Sequence, residues 1–332
     1  MMAKKKMLLV MHNFVGIGDL MVKNLDYLNV DFDVLFYDDT PKFRYESVGQ
    51  KLEGFLRKIF LKDRTFKQSL KSDYKKTALL EKASKLGNYE NILVLNTEYF
   101  ESNFIDELSK HTENLYGFHW DGLNRNNDLL DKIKLFKKFF VFDLQDENKE
   151  ANVHFLPNFY FDFPEEGRVE KVYDLLYIGT FMEERFGKLV TFANWLKDKN
   201  FKFKISLISF DKKTIKKKQN SDITFISSLV DYRENIELVK KSTALLDLKL
   251  KVHNGLSLRF FEALKYEKKI ITDNQDVINY NFYDAENIFI LGKDSMDRLD
   301  YFLNSSYQPI DENIRKQYSF SNWLNIILNE NK

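Results

Sequence analysis

The chain has 332 residues, 44% hydrophobic and 30% charged, with 31 Phe, 17 Tyr and a net charge of +1. That much apolar side chain excludes disorder, and the near-neutral balance gives the whole molecule no strong pull on nucleic acid, although local basic runs could act on their own. With no cysteine there is no disulfide or thiolate metal site, and no run reaches the ~20 apolar residues that span a bilayer, so a cytoplasmic protein of two domains is expected.

In chain order, an apolar run at 6–11 reads as a strand, too short for the hydrophobic region of a signal peptide. A turn with Gly16 and Gly18 follows, and 19–27 carries Leu20, Met21 and Leu25 at helical spacing. Strands are expected at 32–37, 91–95, 115–118 and 139–142, and helices at 45–60, 74–86, 104–110 and between the last two strands. Such alternation implies a parallel sheet covered on both faces. The pattern breaks at 154–174, where Pro157, Pro164 and Gly167 mark a linker.

The scheme restarts with a strand at 174–178, the turn Gly179-Thr180 and a helix at 184–196. Strands follow at 203–208, 243–248, 269–272 and 287–291, with helices at 232–240 and 257–266. The basic run 212–218 reads as a loop, and 314–328 as a helix striped with Tyr318, Trp323, Ile326 and Ile327. The expected organisation is two Rossmann-like α/β domains, 1–160 and 161–310, with 311–332 as a C-terminal helix.

Ligands of open parallel sheets sit at the carboxyl ends of strands, where helix N-termini offer N–H groups to phosphate. Asn254 and Gly255 precede the helix that begins near Ser257. Glycine lets backbone approach a ligand, serine can cap the helix, Arg259 adds a fork of donors, and Glu262 can accept from a ribose diol. The same residues also read as an N-cap, a surface arginine and a charge that offsets the helix dipole. Gly16 and Gly18 form part of a dinucleotide fingerprint whose third position is Met21, which disfavours an NAD enzyme. The five His and the acids show no metal-ligand spacing.

The segment 255–274 carries Gly255, Leu256, Ser257, Arg259, Glu262, Ala263, Leu264, Lys268, Lys269, Ile271, Thr272 and Asn274. It resembles the nucleotide-sugar donor site of GT-B glycosyltransferases, more narrowly of a bacterial group from capsule and lipopolysaccharide synthesis. "YDLLYIGTFMEERF" at 173–186, and "HWDGL" with the later "FFVFDLQDENK", are similar to two further motifs of that group. The resemblance implies a GT-B fold, two domains facing each other across a cleft, with the C-terminal helix returning to the first. It implies transfer of a sugar from a nucleotide-sugar to a saccharide or lipid-linked acceptor in surface polysaccharide synthesis, with no cofactor or metal.

Donor binding then falls to Gly179, Thr180, Arg185, Tyr232, His253, Asn254, Gly255, Leu256, Ser257, Arg259 and Glu262. Arg185 and Arg259 would steady the leaving diphosphate. His12, Asn13, Gly16, Gly18, His119 and Trp120 would meet the acceptor, with Asp19 or Asp121 as general base. Retaining members carry Glu, seven residues, Glu; here the first position is Asn254 and the second Glu262, so the anomeric outcome stays open. The alternative is a non-catalytic sugar-nucleotide-binding or scaffold protein of a polysaccharide assembly complex. The basic and apolar run 57–76 fits either peripheral contact with the inner membrane or a solvated helical hairpin.

Overall fold

The structure is a computed structural model that describes residues 5–63, 65–123, 129–165, 169–251 and 254–329. Its first half runs β1 (Lys5–Met11), α1 (Ile17–Tyr27), β2 (Phe32–Phe36), α2 (Val48–Phe60), α3 (Thr65–Ala83), β3 (Tyr89–Leu95), α4 (Ser102–Ser109), β4 (Leu115–His119), α5 (Leu129–Ile133), β5 (Lys138–Val141) and β6 (Val153–Phe155). The second half runs β7 (Tyr173–Thr180), α6 (Glu183–Asp198), β8 (Phe203–Ile208), α7 (Lys212–Lys217), β9 (Thr224–Ile226), α8 (Tyr232–Lys240), β10 (Ser242–Asp247), α9 (Leu258–Tyr266), β11 (Lys269–Thr272), β12 (Ile288–Ile290), α10 (Leu299–Asn304), α11 (Glu312–Lys316) and α12 (Phe320–Asn329).

The chain divides into two compact units. One holds the residues up to Asn13 with Asn29–Phe140 and Asn148–His154; the other holds Phe14–Leu28, Val141–Glu147 and everything from Phe155 onward. In the first unit the strand order is β2-β1-β3-β4-β5-β6. There β1 runs parallel to β2 and β3, and β3 to β4. Met7 to Met11 and Ile92 to Leu95 are buried without a break, because both sheet faces are covered.

The second unit has the order β12-β11-β10-β7-β8-β9, and all five neighbouring pairs are parallel. Its strands alternate between two apolar cores. Leu176, Ile178, Leu245, Ile270 and Ile288 join Phe260, Phe261 and Leu264 of α9 on one face. Leu175, Tyr177, Leu246, Ile271 and Phe289 join Leu189, Phe192 and Leu196 of α6 on the other. A period of two in the side chains thus fills both layers of a three-layer unit. The chain winds outward from β7 to β9, then returns to β10 on the opposite side of β7. The switch point of this sheet therefore lies between β7 and β10.

Several elements differ from expectation. The run 212–218 forms α7 instead of a loop, because the Asp211 carboxylate accepts from the N–H groups of Lys213 and Thr214. The short β6, β9 and α10 carry too few residues for a periodic signal, and the stripe at 314–328 splits into α11 and α12. Trp323 is buried with its ring 4.6 Å from Phe159 and 5.6 Å from Phe320. The backbones of Tyr160 and Tyr318–Phe320 exchange hydrogen bonds beside it, all within the second unit.

Candidate active site

At the switch point the chain places a carboxylate at the end of β10. Asp247 is buried, and its Oδ1 accepts from Ser257 Oγ at 2.7 Å and from Arg259 Nη1 at 2.8 Å. Arg259 Nη2 donates to the Ile178 carbonyl near the end of β7 at 2.7 Å, and the guanidinium lies 5.5 Å from the Tyr177 ring centroid. Ser257 occupies the N-cap position of α9, as expected, but its hydroxyl is spent on Asp247 and makes no capping bond. The Phe260 N–H donates to the Ser257 carbonyl at 3.2 Å, and the N–H groups of Leu258 and Arg259 receive no cap from the Ser257 side chain.

One helical turn on, Glu262 is buried and its Oε1 accepts from Tyr232 Oη at 2.5 Å and, more weakly, from Asn235 Nδ2 at 3.5 Å. Burial pushes the Glu262 carboxyl up, against the pull of Tyr232 and Arg259. Burial beside this carboxylate likewise raises the Tyr232 phenol.

Ser257, Arg259, Glu262, Tyr232 and Asn235 line one cavity of about 260 Å³, together with Gly179, Thr180, Leu258 and the Phe14–Val15 turn. Val15 sits in the left-handed region at φ 46°, a costly conformation for a β-branched residue. Gly16 follows at φ 78°, and a side chain there would meet the Asp231 carboxylate at 2.7 Å. Gly18 is buried in the first turn of α1, and Asp19 is exposed on that turn with its carboxylate 3.7 Å from Arg233. The α1 N-cap is Gly16, so Asp19 does not cap it.

Of the other residues expected to bind a donor, those the structure describes lie elsewhere in the second unit. Asn254 and Gly255 line a neighbouring cavity of about 350 Å³ with Asp143, Gln145, Asp276 and Tyr280. The Asn254 N–H donates to Asp143 Oδ2 at 2.7 Å, and its carbonyl accepts from Asn274 Nδ2 at 2.9 Å. A Cβ on Gly255 would fall 2.5 Å from the Phe142 ring and 2.7 Å from the Phe142 carbonyl oxygen. Close packing against Phe142 therefore accounts for this glycine. Leu256 is a core residue. Arg185 stands in the first turns of α6, and its buried Nε has no partner among the described residues. His253 lies outside the described residues.

In the first unit, His12 follows β1 with its Nε2 2.9 Å from Asp38 Oδ2, and its ring lies 4.4 Å from Tyr99 and 5.6 Å from Tyr37. Asn13 beside it is half-buried. His119, buried at the end of β4, has Nδ1 3.2 Å from Glu98 Oε2. Burial works to raise the Glu98 carboxyl, but His119 outweighs it and the group sits below its ordinary value. Trp120 and Asp121 are half-buried, and Trp120 Nε1 has no hydrogen-bond partner among the described residues.

Asp247, Asn235 and Glu98 escaped the sequence reading. An acid closing the apolar run "STALLD" must be buried and paired, which was the available signal for Asp247. Asn235 follows Tyr232 by one turn and shares its helix face. Glu98 sits outside any periodic element and left no such trace.

No helix among the described residues is long and apolar enough to cross a membrane, and no group of three or more potential ligands there could hold a metal ion. A scan of protein-family models finds no match, and no curated protein sequence matches either. Among solved structures the chain is similar to an α,α-trehalose 6-phosphate synthase from Burkholderia multivorans, with TM-score 0.57, 9% identity and 98% of each chain covered. It is also similar to a UDP-forming α,α-trehalose-phosphate synthase from Burkholderia vietnamiensis, at 0.56, 11% and 97% of each chain. A third is an S. aureus TarM variant in complex with fondaparinux, α-GlcNAc-glycerol and UDP, at 0.52 and 11%, over 77% of this chain and 59% of that one. At such identities the likeness is one of fold: two parallel six-stranded sheets clothed in helices, in the two-domain α/β architecture of GT-B proteins.

Proposed function

We propose that the chain is a GT-B glycosyltransferase that holds a nucleotide-sugar in its second unit and passes the sugar to a saccharide or lipid-linked acceptor. The setting we assign is bacterial surface polysaccharide synthesis in the cytoplasm. The observation that carries this reading is the polar wall of the switch-point cavity, where Ser257, Arg259, Glu262 and Tyr232 converge on one space. With two N–H groups committed to Asp247 and Ile178, the guanidinium keeps three of its five for an anion. The N–H groups of Leu258 and Arg259, at the start of α9, add a positive dipole end.

As the bond from the anomeric carbon to the diphosphate breaks, charge grows on the leaving oxygen. Arg259, Arg185 and the helix end offset it, so the reading assigns that task to the chain itself and not to a metal. Glu262 has Oε1 fixed by Tyr232 and offers Oε2 to a ribose diol. Asp19 or Asp121 takes the proton of the attacking hydroxyl, and His12, Asn13, His119 and Trp120 receive the acceptor. Asn254, at the place of a carboxylate, is what a scaffold protein would carry instead.

A thermal-shift screen against nucleoside mono- and diphosphates tests the reading. Stabilisation by a diphosphate above its monophosphate is expected, and indifference to all of them ends it. Release of sugar from the matching nucleotide-sugar then separates an enzyme from a binding module, which releases none.

A further inference from the structure

Helix α2 is amphipathic, with Val48, Leu52, Phe55 and Ile59 recurring every three or four residues and Phe60 beside the last of them. A helix of this pattern ordinarily buries its apolar stripe. Here the helix faces the other way: none of its 13 residues is buried. It rests on α3 through Gly54, whose Cβ position lies 3.7 Å from the Phe66 ring, and through Arg57, 4.5 Å from the same ring centroid. The apolar stripe is left to solvent, Val48 exposed at 83% and Phe60 at 76%. A stripe this size, continued by Leu61, marks an interaction surface.

Charge decides what covers it. Arg57 is satisfied by Glu53 at 2.7 Å. Lys51, Lys58 and Lys62 enter no ion pair among the described residues. The segment 42–76 holds eleven Lys and Arg against four Asp and Glu, a net of +7 where the whole chain has +1. Two copies meeting through this face would set like charges against each other. A surface that offers hydrocarbon beneath a layer of negative charge satisfies both features at once.

We propose that α2 is a membrane-surface helix, laying its Phe and Leu side chains among the acyl chains of an anionic bilayer while Lys51, Lys58 and Lys62 meet the headgroup phosphates. The inference does not rest on nucleotide binding.

Flotation of the full chain with phosphatidylcholine vesicles, with and without about one-third phosphatidylglycerol, tests it. The chain is expected to float with the anionic vesicles and not with the neutral ones. Phe55→Ser/Ile59→Ser/Phe60→Ser should abolish flotation while leaving the urea midpoint unchanged, since the helix buries none of those side chains. Lys51→Gln/Lys58→Gln should weaken binding by about fivefold per lysine and flatten its salt dependence. Failure of the folded wild type to float, or equal flotation with both vesicles, overturns the proposal. So does a dimer in sedimentation velocity that the triple serine variant dissolves while the wild type fails to float. Arg259→Ala should float like the wild type, so this proposal and the nucleotide reading fail separately.

Discussion

Replacing Arg259 by Ala removes two things the structure joins in one side chain, and they can be measured apart. The first is structural. The guanidinium bonds Asp247 at 2.8 Å and the Ile178 carbonyl at 2.7 Å, and its loss leaves a buried carboxylate with only the Ser257 hydroxyl. Breaking a buried pair costs about 3–5 kcal/mol. Arg259 is 24% exposed and Asp247 keeps one donor, so the expected loss in urea denaturation is about 2–3 kcal/mol.

The second effect is on binding. A charge-assisted bond from the three remaining donors to a diphosphate is worth about 1.5–3 kcal/mol, or roughly 10- to 150-fold in Kd by calorimetry. Asp247→Asn supplies the contrast: it weakens the pair and lowers stability, but leaves the guanidinium in place and nucleotide affinity near that of the wild type. If Arg259→Ala loses stability as expected yet binds nucleoside diphosphates unchanged, the arginine is a strut. The donor site proposed around it would then be refuted.

Glu262→Gln should change the pH dependence of stability. Burial raises the carboxyl above its ordinary value of 4.5, so its stabilising contribution is present below that value and is lost as pH rises through the folded-state pKa. The urea midpoint of the wild type should therefore fall relative to Glu262→Gln from pH 4.5 upward; a constant difference would count against a raised carboxyl. Lys268 shows the opposite behaviour: burial lowers its amine from 10.5 to about 8, so the folded chain binds fewer protons between those values. Over that window the wild type should gain on the order of 2–3 kcal/mol over Lys268→Met, and parallel pH profiles would contradict the assignment. Gly255→Ala drives a methyl into the Phe142 ring and carbonyl and should cost about 1–3 kcal/mol in urea denaturation. Phe142→Ala empties a buried site and costs about 3–5 kcal/mol of its own, so the comparison is the Gly255→Ala increment in that background: it should shrink but persist, because the carbonyl at 2.7 Å stays, and an increment of zero would show that the ring alone mattered.

The layers of the fold were legible because the strands of parallel sheets are apolar on both faces. "LLYI", "ALLD" and "KIIT" can bury themselves only between two helical layers, and the structure places them there. The motif around Ser257 was legible as a helix start, and Ser257, Arg259 and Glu262 do share one cavity. The partners of these side chains could not be read. Ser257 was assigned to the helix N–H groups, but it turns to a carboxylate ten residues back, at the end of β10. Local pattern says where a hydroxyl starts and nothing about which of two acceptors lies nearer. The orientation of α2 was hidden for the same reason: periodicity shows that a helix has an apolar face, and only packing shows that Gly54 and Arg57 face inward.

Two carboxylates explain how the second unit holds its polar groups ready. Asp247, ending β10, fixes Ser257 and Arg259 at the start of α9. Asp143, just past β5, takes the N–H of Asn254 at 2.7 Å and that of Gln145 at 3.0 Å, and so pins the turn that precedes α9. Both ends of the segment 254–259 are thus tied to buried acids, with Asn274 also holding the Asn254 carbonyl at the first end. Donors held this way need no reorganisation when charge develops in front of them, which is the condition under which fixed dipoles lower a barrier. A scaffold that only recognised a nucleotide would gain affinity from the same rigidity, so rigidity alone does not favour catalysis. The strained Val15 at the cavity wall differs, because a left-handed valine lowers stability and binding alone does not require it.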